Sequence, residues 1–172
     1  MSTFATISQY ARMLENLDKW LHTAIEHAKK KSFEPDVLVQ ARLAPDQFSL
    51  AQQVQAACDA AKFAAAYLSD QKAPSHPDTE KTMAELRARV QTCGAYLKTF
   101  KESDFAGAEE RRVGPPWMEG NSVRGDNYLT RISEPNFYFH VTTAYALLRH
   151  NGVEIGKRDF IGVQNWADLA NW

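Results

Sequence analysis

Between Thr3 and about Lys30 the chain has no glycine and no proline, while Phe4, Ile7, Ala11, Leu14, Leu17, Leu21, Ile25 and Ala28 recur at steps of three and four. That spacing predicts one long amphipathic helix with a continuous apolar stripe. Lys29, Lys30 and Lys31 close it, where cations suit the negative end of a helix dipole. Later segments have to cover the stripe.

Three further stripes follow. Glu34-Pro35 breaks the first helix, and Asp36 to Leu43 fits a short helical turn ahead of Pro45. Ser49 and Gln52 have the form of a capping box, so a second helix should begin there and run to about Leu68, with Leu50, Val54, Ala57, Cys58, Ala61 and Ala65 inward. Its many alanines allow another backbone to approach closely. The prolines of Ala73-Pro-Ser-His-Pro-Asp78 mark a loop, after which Asp78, Thr79 or Thr82 caps a third helix carrying Met83, Leu86, Val90, Cys93, Leu97 and Phe100. Cys58 and Cys93 lie on these stripes and are expected as small buried hydrophobes, without a disulfide.

Asp104 to Ser133 reads as irregular, with Gly107, Gly114, Gly120, Gly125 and Pro115-Pro116. Either Arg111–Val113 and Tyr128–Ile132 pair as a small hairpin, or the segment is a lid anchored by Trp117 and Met118. Glu134-Pro135 should open a fourth helix and Gly152 end it. Beyond it Phe160, Trp166, Leu169 and Trp172 are too apolar to stay free and should pack on the bundle or on a second chain. The expected fold is all-α: one domain over residues 1–172, an up-and-down four-helix bundle with a long crossover before the last helix and a short apolar tail.

A chain of 172 residues buries roughly 70% of its unfolded surface, so one core suffices without a metal or disulfide staple. No run of about 18 apolar residues could cross a bilayer. Lys and Arg number 20 against 21 Asp and Glu, which gives no electrostatic reason for nucleic-acid binding. Met1 to Tyr10 has no secretion-signal pattern, so the cytoplasm is the expected setting.

The site candidates lie on the fourth helix. Phe137, Val141, Ala144, Leu147 and Leu148 form its stripe, and His140 falls within it, so the imidazole should face the core. Asn136 sits one turn earlier on the same face. Tyr145 and Trp117 are further candidates for lining a ligand site. His140 is either a general acid or base or a buried imidazole satisfied by hydrogen bonds, with Asn136 as one partner. His22, His27, His76 and His150 read as surface or helix-end histidines, and Arg42, Asp46, Lys157 and Asp159 as an ion-pair cluster joining the first connector to the tail. Gly152-Val-Glu-Ile-Gly156-Lys157 is too short for a phosphate loop, and no Cys-x-x-Cys, His-Glu-x-x-His or Gly-x-Ser-x-Gly occurs.

Four long helices, with a last segment reading Phe-His-Val-Thr-Thr-Ala-Tyr-Ala-Leu-Leu-Arg-His-Asn-Gly-Val, resemble the DinB-like (DinB/YfiT) helical bundles. Arg42-Leu-Ala-Pro-Asp46, Pro135-Asn-Phe-Tyr-Phe-His140 and Gly156-Lys-Arg-Asp-Phe-Ile-Gly162 look like the signatures of one branch, a domain of unknown function. Metal-bearing members have a histidine on helix two and a His-x-x-x-His pair on helix four. Those positions fall here on about Ala56, Asn136 and His140. The resemblance therefore implies a degenerate metal site with no metal or other cofactor, in a protein that binds a small apolar ligand or a partner. By the same resemblance the alternative is a thiol-dependent transferase or isomerase, metal-dependent with His140 as a residual ligand or metal-free, in which His140 activates a thiol or water and Asn136 orients the substrate. A third reading has Trp117 and the aromatic tail bury themselves across a two-fold axis, making a homodimer.

Overall fold

The computed structural model describes residues 2–163, 165 and 167. Helices α1 (Thr3–Lys30), α2 (Leu50–Ser69) and α3 (Met83–Leu97) are followed by a two-stranded hairpin, β1 (Arg112–Val113) and β2 (Val123–Arg124). Then come α4 (Gly125–Tyr128), α5 (Glu134–His150) and the short α6 (Lys157–Ile161). Both expected cap types form. Ser49 and Gln52 exchange hydrogen bonds of 3.4 and 3.0 Å at the start of α2. At α3, Thr82 serves, with Glu85 reaching back to its N–H at 3.0 Å.

α1 packs chiefly against α3, and α2 lies between α3 and α5. The four stripes meet in one apolar core, which includes Leu14, Leu17, Trp20, Val54, Leu86 and Phe137. Cys58 and Cys93 are buried and free, with the Cys93 thiol donating to the Cys58 carbonyl at 3.4 Å.

The direction pattern differs from the simple alternation expected. Leu50 N–H bonds the Ala41 carbonyl at 2.9 Å and Met83 N–H bonds Asp36 at 2.8 Å, so α2 and α3 both start from the connector that leaves the end of α1. They therefore run parallel, and the order is up, down, down, up. The loop over residues 70–82 makes this feasible. At about 3.3 Å per extended residue it can reach roughly 40 Å, more than the ~30 Å length of a 20-residue helix. Pro74 and Pro77 favour that extended path.

Two expectations for the segment before the last helix are corrected. β1 pairs with β2, Val113 opposite Val123, while Tyr128–Ile132 is helical and joins no strand among the described residues. Helical backbone also begins at Gly125, ahead of Pro135. Between α4 and α5 a π turn over Leu129–Ser133 carries the bond Glu134 N–H to Leu129 carbonyl. Within a regular helix the Pro135 ring would clash with the carbonyl four residues back. A widened turn at that point moves it aside, so proline is accommodated instead of opening a new helix.

At the far end of the last helix, α6 docks on α1. Trp20 donates its indole N–H to the Asp159 carbonyl at 3.1 Å and stacks on Phe160 at 5.3 Å. Trp166, Leu169 and Trp172 lie outside the described residues. The expected ion-pair cluster of Arg42, Asp46, Lys157 and Asp159 does not form among the described residues: Arg42 donates to the Gln47 carbonyl, and Asp159 accepts from Gly156 N–H at 2.7 Å.

Candidate functional site

Beside its core-facing stripe, α2 carries a second one. Gln52, Ala56, Asp59, Ala60, Phe63 and Tyr67 recur at steps of three and four, and no long helix among the described residues covers them. Instead they floor a cleft of about 970 Å³, closed on its sides by Phe48, by Asp78 of the loop between α2 and α3, by Pro116 and Trp117 of the hairpin loop, and by Tyr128 to Asn136. Small side chains at Ala56 and Ala60 leave the space open. Phe63 stacks on Tyr67 at 5.6 Å and Tyr67 meets the edge of Tyr128 at 5.9 Å, which gives one wall a continuous aromatic surface.

Of the four residues singled out from the sequence, Asn136 and Trp117 line this cleft. Trp117 is 62% exposed, so it stands at the rim and does not anchor the loop to the core. Tyr145 lies elsewhere, edge-on to Trp20 at 5.5 Å and to Phe160 at 5.5 Å, where it helps to hold α6. His140 is 9% exposed and faces inward as its stripe requires. It abuts the cleft through Phe48, whose ring lies parallel to the imidazole at 6.2 Å.

Its hydrogen-bond partner is Gln53 of α2, with Nδ1 and Oε1 2.7 Å apart. The expected partner, Asn136, is exposed and makes no such bond. Gln53 sits a step of three after Leu50, a polar residue among inward alanines. That misplacement was the available signal.

An amide oxygen only accepts, so Nδ1 carries the proton and the Nε2 lone pair is left free. Burial pushes the imidazole pKa below its ordinary 6.5. The unfolded chain therefore binds the extra proton more readily, and the stability gained from the neutral ring is complete above pH 6.5 and declines as pH falls through the lower folded value. Replacing His140 with Gln should flatten part of the acid limb in urea melts taken between pH 7.5 and 5. His76 is shifted the same way, by burial and by the nearby cations Lys62 and Arg89, and keeps the rest. Its Nδ1 is sealed from solvent without a partner, so it is no solvated loop tip.

Behind the cleft floor lies a charged cluster. Arg89, its side chain 3% exposed, pairs with Asp59 at 2.9 Å, Glu80 at 3.0 Å and Asp78 at 3.1 Å, and so ties the loop between α2 and α3 to α2. Lys62 reaches Asp59 at 2.7 Å and lies 4.5 Å from the centre of the Phe63 ring. The positions where a metal would be expected do not fit one. Ala56 offers a methyl and Asn136 a solvated amide, so the free Nε2 of His140 is the one strong donor of the three, where a tight site needs three. Among the described residues no three His, Cys, Asp or Glu side chains converge as a metal-binding set.

The fold and the cleft between its second and last long helices define a DinB-like helical bundle. The crystal structure of a DinB family member from Shewanella denitrificans, at 1.83 Å resolution, matches with a TM-score of 0.88 and 44% sequence identity, over 93% of this chain and 91% of that one. Residues 4–161, a span that contains the cleft and His140, match the model of a domain of unknown function, DUF1993. The chain belongs to that family. A comparison with the curated proteins found no match.

Proposed function

We propose that the protein binds a small, largely apolar organic molecule in the cleft floored by the outer stripe of α2. What carries this reading is the uncovered face itself, with half-buried aromatic and alanine side chains, an exposed indole at its rim and a volume in the range of small-molecule sites. N-phenyl-1-naphthylamine, uncharged and fluorescent in apolar surroundings, is a suitable probe. The native protein should enhance its emission, and Ala60→Trp, which fills the floor, should weaken binding at least tenfold while moving the melting temperature by only a few degrees. Equal binding by that variant would remove the proposal.

One contact favours a second reading, an enzyme of transferase or isomerase type. The bond from His140 to Gln53 supports a fixed tautomer with Nε2 as the base, the arrangement general base catalysis needs. For any turnover found, His140→Gln should then lower kcat/KM by roughly a hundredfold. Unchanged turnover would dismiss it.

A further inference from the structure

The charged groups on the cleft wall have one sign. Resting on the ligand-binding reading above, we infer that the occupant is an organic cation, an amine or quaternary ammonium carried on an apolar body.

Among the described residues, Asp59 and Asp78 are the only Asp, Glu, Lys, Arg or His side chains that line the cleft, and they are 29% and 53% exposed. Arg89 and Lys62 lie behind them, buried, with their charges turned toward the same carboxylates. In that cluster three carboxylates, Asp59, Asp78 and Glu80, face two cations, so one negative charge remains uncompensated on the side that opens to the cleft. The phenols of Tyr67 and Tyr128 stay neutral, because burial raises both.

The aromatic groups fit the same occupant. An aromatic face attracts an ammonium, the indole most strongly. One wall ring, Phe63, already lies against an ammonium, that of Lys62. Trp117 stands exposed at the rim, and no aromatic ring of the described residues stacks on it. A carboxylate-bearing ligand would instead meet Asp59 and Asp78 without a cation within reach on the lining. A bare metal ion, strongly hydrated and without an apolar body, would leave the apolar walls unused.

The test is competition against bound N-phenyl-1-naphthylamine, using benzyltrimethylammonium and its uncharged carbon isostere, neopentylbenzene. The ammonium should displace the probe at a concentration at least tenfold lower than the isostere. Asp78→Asn should bring the two within about twofold. Trp117→Leu, which leaves the Arg89 cluster intact, should cut the preference severalfold without lowering the melting temperature. If the isostere competes as well as the ammonium, or neither displaces a probe that does bind, the charge inference is overturned while the cleft remains a binding site. Failure of the probe itself to bind would overturn both.

Discussion

Arg89→Ala should destabilise the protein by about 3–5 kcal/mol, the usual consequence of removing one partner from a buried ionic group. In thermal melts this is a fall on the order of 10 °C for a chain of this size. The guanidinium is almost wholly enclosed and meets three carboxylates and the Pro77 carbonyl, which is 3.3 Å away. Asp78, the most exposed of the three, contributes least, because solvent screens it. Glu80, with a side chain 12% exposed, loses the most. Arg89→Lys should recover only part of the loss, since one ammonium cannot fork toward three acceptors. Asp78, on the loop between α2 and α3, lines the cleft and is held by Arg89, so the same variant should also loosen the cleft. A loss below 1 kcal/mol would mean that the cluster is solvated rather than structural.

Gly125→Ala should cost about 3 kcal/mol, at the upper end of what an overpacked site loses. On helix propensity alone alanine would gain about 1 kcal/mol there. Its Cβ, however, would come within 1.9 Å of the Ala108 carbonyl oxygen and 3.0 Å of Leu68 Cδ2. The first obstacle is backbone, which cannot swing aside as a side chain can. Gly94→Ala in α3 is the control: its Cβ would meet nothing within 4 Å, so the propensity gain should appear unopposed. Melting temperatures of the two variants should move in opposite directions. A neutral Gly125→Ala would show that the approach of residue 108 to the start of α4 is adjustable.

Much of the bundle was legible from periodicity. The uninterrupted stripe of α1, the Ser49 and Gln52 box and the inward placement of His140 all depend on residues three or four apart, and such residues are neighbours on any helix. The partner of His140 was not legible, because Gln53 is 87 positions away and only the packing of α2 on α5 joins them. Pro135 misled for a related reason. Proline is favoured in a first turn, and that preference is read locally, whereas a π turn that admits it within a helix depends on what surrounds it. The outer stripe of α2 could have been seen in the sequence. Whether it would be covered could not.

The sequence by itself determined the class of fold, since long amphipathic helices have to bury their stripes against one another. It also determined which side of the last helix faces inward, because side-chain direction on a helix follows from spacing alone. Only the tertiary structure decided that α2 and α3 run parallel, that Gln53 holds the imidazole, and that Asp59, Asp78 and Trp117 gather around one cleft. Those depend on how far a connector reaches and which faces meet, and contacts between residues distant in the chain leave no periodic trace along it.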